Sequence, residues 1–266
     1  LVCPQIDGSR ASARLPAIVR RLKAEIFARP GVHLVAPSAY VRDRAVASGI
    51  VPAARAHVLR NPYAAPYGLP ERGPPQGRAL RLLLIADNLG ERRKNMALAL
   101  AALRRLAAEG LPQPIHIDLI GEVTGEVESL LAAAGLPHQL HGRLADHRRV
   151  SAVCRTSDLV LSASLEDNWP NVLVEAGVYG AFPVVGPGHG CAEFVRAFDH
   201  GEIAFAYTAE AFAEALRRAI ATLSPDRAAA VATEIRDAHD PGRIAQDFIA
   251  RFVPARRRIL ADTAAG

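Results

Sequence analysis

From Leu80 onward the chain alternates short, nearly unbroken apolar runs with amphipathic stretches, and this rhythm constrains the fold more than any other feature. Leu80-Arg81-Leu82-Leu83-Leu84-Ile85-Ala86, Ile115-His116-Ile117-Asp118-Leu119-Ile120, Leu159-Val160-Leu161 and Phe182-Pro183-Val184-Val185 read as buried strands, with Gln139-Leu140-His141 as a shorter one. Helical patterns separate them over 95–109, up to Gly135, over 146–155 with Asp146 as cap, and over 171–180. A strand with no polar face needs cover on both sides, and a parallel sheet with helical crossovers supplies it. Residues 203–207 are expected to close the sheet, and the remainder reads as helical. The fold class is therefore α/β, with a doubly wound parallel sheet whose ligands lie at the carboxyl ends of the strands.

The first part of the chain is less regular. Residues 11–29 pattern as a basic amphipathic helix, with Leu15, Ile18, Val19, Leu22, Ile26 and Phe27 at helical spacing. A short strand over 33–37, a helix capped by Ser38 and a strand over 56–62 follow. Residues 63–79 carry Pro66, Pro70, Pro74 and Pro75 with Gly68, Gly73 and Gly77, the composition of a linker. The expected division is 1–62 as the remainder of a first domain, 63–79 as linker, 80–243 as a ligand-binding domain, and 244–266 as a C-terminal helix returning to the first domain. Leu1 and the Cys3-Pro4-Gln5-Ile6 run read as the interior of a loop, so a fragment lacking its N-terminal part is expected.

Composition narrows the partners. The 266 residues have room for one large or two small domains. A formal charge of +5 is too modest for a nucleic-acid binder and suits anionic small ligands or an anionic membrane surface. No apolar run reaches the ~18 residues of a membrane span. Cys3, Cys154 and Cys191 lack metal or redox spacing and read as reduced thiols of a cytoplasmic protein. No metal-ligand set is expected.

The chemistry concentrates between Ser164 and Glu175. Asp167 and Glu175 bracket seven residues across a strand-to-helix turn. Such a turn aims backbone N–H groups and the positive end of a helix at an anion. A carboxylate inside the helix can hold a ribose, and one before the turn can reach sugar hydroxyls. That combination suits a nucleoside diphosphate sugar. In Asp87-Asn88-Leu89-Gly90-Glu91-Arg92-Arg93-Lys94-Asn95, Lys94 falls at the start of a helix, where a cation is unfavourable unless an anion neutralises it. A diphosphate with Arg93 or Arg92 assisting fits, as does a solvated charged loop. Gly142 would let a base approach the backbone; an ordinary turn capped by Asp146 fits equally. Gly188 and Gly190 form a loop suited to a sugar or phosphate, and Glu193 in the following helix reads as a ligand or as a cap in the first turn. A lone His189 in that loop is not taken as a base, and His116 and Asp118 read as structural.

These segments resemble, in order, the family-4 retaining glycosyltransferases of the GT-B fold, the exopolysaccharide and cell-surface polysaccharide type. The hallmark is Asp167-Asn168-Trp169-Pro170-Asn171-Val172-Leu173-Val174-Glu175-Ala176, placed before Gly180-Ala181-Phe182-Pro183-Val184-Val185. Leu34-Val35-Ala36-Pro37-Ser38, Leu59-Arg60-Asn61-Pro62, Arg93-Lys94 and the 190–193 stretch resemble further parts of the pattern. The resemblance implies a complete C-terminal Rossmann-like domain and the rear part of an N-terminal, acceptor-side one. It implies Asp167, Lys94 and Arg93 as catalytic residues. It implies donor binding by Glu175, Glu166, Asn168, Pro170, Asn171, Val172, Asn88, Gly142, Arg143, Leu144 and Gly190. Glu175 would hold the ribose and Asp167, with Glu166 beside it, the sugar. The N–H groups of Asn171 and Val172, with Lys94, would meet the diphosphate. Asn88 stands where many members carry arginine, and His189 where they carry the first glycine of a pair.

The implied activity is metal-independent transfer of a hexosyl group, with retention, from a UDP- or GDP-sugar to a glycan or lipid-linked hydroxyl acceptor. No cofactor is expected; the protein would be cytoplasmic, with peripheral contact at the inner face of the membrane as a further partner. Two other readings keep the fold: a non-catalytic nucleotide-sugar-binding fragment, and a nucleotide-sugar epimerase, which would need acid/base groups the sequence does not offer.

Overall fold

The computed structural model describes residues 10–71, 78–111 and 113–253. Cys3, Ser9, the linker interior at 72–77 and the Arg256-Arg257-Arg258 cluster lie outside the described residues, as do the side chains up to Pro16. No helix among the described residues is long and apolar enough to cross a membrane.

The first unit comprises α1 (Arg10–Ala28), β1 (Leu34–Ala36), α2 (Ala39–Ala47) and β2 (Ala56–Val58). The two strands pair in parallel, Val35 opposite His57. Ser38 caps α2 as its sequence position suggests, its extended backbone letting the hydroxyl accept from the Val41 N–H at 3.2 Å. Along α1 the apolar stripe faces solvent, with Ile18, Leu22 and Ile26 all close to half exposed.

The second unit contains β3 (Leu80–Asn88), α3 (Met96–Ala108), β4 (Ile115–Glu122), α4 (Gly125–Ala134), β5 (His138–Gly142), α5 (His147–Thr156), β6 (Leu159–Ser162), α6 (Asn171–Gly177), β7 (Phe182–Val185), α7 (His189–Phe198), β8 (Glu202–Ile203), α8 (Ala209–Thr222) and α9 (Pro225–Ala238). The six strands form one parallel sheet in the order β5-β4-β3-β6-β7-β8. The period-two alternation of strands sorts the core into two layers. Leu82 and Leu84 of β3 pack with Leu100, Leu103, Phe212 and Leu216 of α3 and α8. On the other face Leu83 joins Val160, Leu173, Phe194 and Ile235 from β6, α6, α7 and α9. The last helix, α10 (Pro241–Phe252), returns to the first unit. There Arg251 donates to the Val58 carbonyl at 3.2 Å, and the Phe252 ring meets His57 edge-on at 5.1 Å.

Three sequence expectations shift. The expected closing strand at 203–207 shrinks to Glu202–Ile203. Beyond it the chain leaves the sheet edge so that the Tyr207 hydroxyl can donate to the Ser164 and Pro187 carbonyls, while Phe205 stays 72% exposed. The helix expected over 171–180 ends at Gly177, because the turn after it is tightened by the Gly180 N–H returning to the Gly177 carbonyl. Lys94 does not start α3; it ends a 3₁₀ turn, Arg92–Lys94, and Asn95 in the left-handed region (φ 54°) separates the two.

Two bulges tilt the carboxyl ends of the strands. Ile85 pairs with Ile120 and Asn88 with Glu122, so Ala86 and Asp87 face Gly121 alone. Gly121 has φ 137°, and a Cβ there would collide with the Ala86 carbonyl. Between β4 and β5, Leu119 pairs with Leu140 but Ile120 with Gly142, which makes His141 the extra residue. His141 is anchored by its Nε2, 2.8 Å from Asp118 Oδ1. Asp118 is fully buried, and Arg81 Nη2 donates to both its oxygens at 2.8 and 2.7 Å. Asp118 is thus structural, as its place in the strand suggests. Asp118→Ala would leave the Arg81 guanidinium without this counter-charge and should cost about 1.5–3 kcal/mol, the range for hydrogen bonds to a charged group, read as a lowered urea midpoint at unchanged m-value.

Candidate functional site

A cavity of about 800 Å³ opens at the carboxyl ends of β3, β4 and β6, where the strand order reverses. The crossovers from β3 and β6 leave in opposite directions there, so the crevice is lined by the strand ends, the loops after them and the start of α6.

One wall is basic. The 3₁₀ turn after β3 is moored to the loop after β6 by its backbone, the Leu165 N–H donating to the Arg93 carbonyl at 2.8 Å. This mooring brings Lys94 Nζ to 3.5 Å and Arg93 Nη1 to 3.9 Å from Asp167 Oδ2. Arg93 also donates through Nε and Nη2 to the Glu91 carboxylate, at 2.8 and 3.1 Å. Lys94 and Asp167 are 13% and 15% exposed, so this pair sits in a partly dehydrated pocket where charge interactions outweigh those at an open surface.

Acidic groups line the same cavity. Glu175, in the second turn of α6, lines the cavity with Asp87. Burial pushes the Glu175 carboxyl above the ordinary carboxylate range; His147 partly offsets this, and Asp87 adds to it. Asn171 and Val172 of the first turn of α6 also line the cavity. N–H groups in a first turn have no intrahelical acceptor, while those of Leu173 and Val174 return to the Pro170 carbonyl. Arg143 and Leu144 line the end beyond the His141 bulge, to which Gly142 (φ 64°) turns the chain.

Of the residues singled out from sequence, Asp167, Lys94, Arg93, Glu175, Glu166, Asn168, Asn171, Val172, Asn88, Arg143 and Leu144 therefore surround one space. Gly142, Pro170 and Gly190 are not among its lining residues. Pro170 precedes α6 in extended conformation and supplies its carbonyl to the first turn. Gly190 stands behind the loop: its N–H donates to the Asp167 carbonyl at 2.9 Å, and a Cβ would collide with the Asn168 carbonyl. Glu193 is in the second turn of α7, not the first, and caps another helix. Its two carboxylate oxygens accept from Ala39 and Tyr40 of α2 at 2.9 and 2.8 Å. His189 is taken up by structure, with Nε2 at 2.7 Å from the Tyr207 hydroxyl and 3.0 Å from the Ser164 carbonyl; burial lowers its pKa. Cys154 and Cys191 are buried free thiols, the latter pushed up to about 12 by burial, which makes both poor nucleophiles.

Sequence reasoning missed Asp87, Glu91, Asn61 and Trp169. Asp87 carried a usable signal, a carboxylate directly after a buried strand. Asn61 showed only as part of the Leu59-Arg60-Asn61-Pro62 resemblance, since its role depends on the first unit folding against α6, where its Nδ2 donates to Asn171 Oδ1 at 2.9 Å. Trp169 is 4% exposed and donates from Nε1 to His239 Nε2 at 3.2 Å. An indole only donates, so His239 accepts at Nε2 and carries its proton on Nδ1, 2.8 Å from the Ile235 carbonyl. Burial lowers the His239 pKa and keeps this neutral form. Arg60 completes the anchor, its guanidinium 5.2 Å from the Trp169 ring centre and 5.0 Å from that of Phe198.

Comparison with known proteins gives this geometry a context. No curated protein matches the chain. Among solved structures, a glycosyltransferase from Rickettsia africae is similar over 89% of this chain and 66% of its own, with 16% identity and a TM-score of 0.70. HepE of Anabaena, in complex with UDP and glucose, is similar over 91% and 66%, with 17% identity and a TM-score of 0.68. Sucrose-phosphate synthase of Thermosynechococcus elongatus is similar over 96% and 64%, with 16% identity and a TM-score of 0.70. At these identities the likeness establishes the fold, that of GT-B glycosyltransferases, and the chain spans about two thirds of the length of each. The pattern of the family described as "Glycosyl transferases group 1" matches residues 81–233, more than half of the sequence, and the chain belongs to that family.

Proposed function

We propose that this chain carries the donor site of a retaining, metal-independent glycosyltransferase of the family-4, polysaccharide-synthesising type. It would move a hexosyl group from a UDP- or GDP-sugar to a hydroxyl of a glycan or lipid-linked acceptor. The observation that carries this reading is one crevice lined both by Glu175 and by the Lys94–Arg93–Asp167 cluster.

The chemistry follows from the charges. As the bond from the anomeric carbon to the diphosphate breaks, negative charge grows on the leaving oxygens. Lys94, Arg93 and the free N–H groups of Asn171 and Val172 would stabilise it without reorganising. Asp167 lies against these cations; it would exchange that contact for sugar hydroxyls when the diphosphate arrives. The acceptor oxygen bonds the anomeric carbon on the face the diphosphate leaves, and the acceptor proton passes to the departing phosphate. Glu175 and Asp87 would receive the ribose hydroxyls, with Arg143 and Leu144 beside the base. The first unit, 1–62, would form part of the acceptor side, joined through 63–79. HepE, solved with UDP, makes UDP the first diphosphate to test. Peripheral contact with an anionic membrane belongs to the proposal on one ground, the exposed apolar stripe of α1 beside Arg20, Arg21 and Lys23.

Titration of the chain with UDP, GDP and ADP by calorimetry should show saturable binding of one of them. Lys94→Ala should weaken it about tenfold, and Glu175→Gln about 10–100-fold, the range for losing a hydrogen bond to a charged group. No binding of any diphosphate to the wild-type chain overturns the reading.

Glu175 also makes a stability prediction. Its folded pKa lies above 4.5, so the folded state holds the proton more tightly than the unfolded one. Stability from this group is present in acid and lost as pH rises through the folded pKa. Ligand-free Glu175→Gln should therefore melt above the wild type at pH 7, and the gap should close on acidification below pH 4.5. A neutral-pH melting temperature below the wild type would contradict it.

A further inference from the structure

Two successive carbonyls of the loop, those of Asp167 and Asn168, are gripped from two sides. On one side Gly190 of α7 donates its N–H to the Asp167 carbonyl at 2.9 Å and lies against the Asn168 carbonyl too closely to carry a side chain. On the other side the fully buried Ser38 donates its hydroxyl to the Asn168 carbonyl at 2.6 Å. Nearly one turn beyond Gly190, Glu193 reaches back across the interface and accepts from Ala39 and Tyr40 with one oxygen each. These are the first two residues of α2, whose cap is Ser38 itself. A carboxylate at a helix N-terminus gains from both the charge-assisted hydrogen bonds and the helix dipole. The circuit is closed: Ser38 to the Asn168 carbonyl, through the Asp167 carbonyl to Gly190, along α7 to Glu193, and back to the start of α2.

We propose that Ser38 and Glu193 are positioning residues for the donor site: they hold the loop backbone at Asp167 and Asn168 against Gly190 and make the place of Asp167, relative to Lys94 and Arg93, depend on the docked first unit. This rests on the reading of the cavity as a nucleoside diphosphate site. Neither residue lines the cavity, so each acts through the loop. Seating of the loop is relayed to its only tryptophan, Trp169, the next residue along, whose ring is pinned by Arg60 from the first unit.

Because Trp169 is the single tryptophan of the chain, its emission reports on this loop alone. Glu193→Gln, Ser38→Ala and the double variant are compared with Val231→Ala, a core change outside the circuit. The probe ligand is UDP, with GDP and ADP alongside. Glu193→Gln and Ser38→Ala should each red-shift Trp169 emission and weaken diphosphate binding about fivefold, the effect of one lost hydrogen bond. The double variant should lose little more than the worse single variant, since either change opens the same circuit. Val231→Ala should lower the melting temperature and move neither readout. Wild-type affinity in both single variants overturns the proposal, as do additive losses tracking the melting temperature. If the wild type binds no diphosphate, the functional reading fails separately; unchanged Trp169 emission in Glu193→Gln and Ser38→Ala would then sink the clasp as well.

Discussion

The site depends on one contact in the sheet, the parallel pairing of β3 with β6. Only Leu82–Leu159 and Leu83–Val160 are in register, yet this pair joins two half-sheets that wind away from each other. Apolar burial on both faces holds it. The winding leaves its carboxyl end uncovered, because each crossover departs toward its own side. A crevice at that point is a consequence of topology, and the chain furnishes it with loops whose backbones bond to one another, as Leu165 does to Arg93.

Charge within the crevice is divided rather than uniformly positive. Lys94 and Arg93 line it together with Asp87 and Glu175, and Asp167 lies against the cations. Net charge of the whole chain therefore says little about recognition. In the proposed donor site, this local polarity is what would suit an anion with hydroxyl-bearing ends.

Much of the fold was legible because strands buried on both faces leave unbroken apolar runs such as Leu82-Leu83-Leu84, and caps such as Ser38 and Asp146 mark helix starts through local hydrogen bonds. The cavity-lining residues legible in sequence were those whose neighbours in the chain shape them: Asp167, Glu175 and Lys94. What could not be read were contacts made by distant segments. Glu193 looks like a cap for its own helix, and only tertiary packing shows that it serves α2. The apolar 203–207 run suggested a strand, but the Tyr207 hydroxyl reaches the carbonyls of Ser164 and Pro187, in the loops after β6 and ahead of α7.

Gly190 and Glu193 lie three residues apart on α7. A helix advances about 100° per residue, so three steps bring the chain most of the way round to the same face. That angle lets one helix press its backbone onto the Asp167 loop while its carboxylate meets α2. The interval between them is therefore as constrained as the residues themselves: inserting or deleting a single position would swing Glu193 about a quarter-turn off the interface without altering any residue in the cavity.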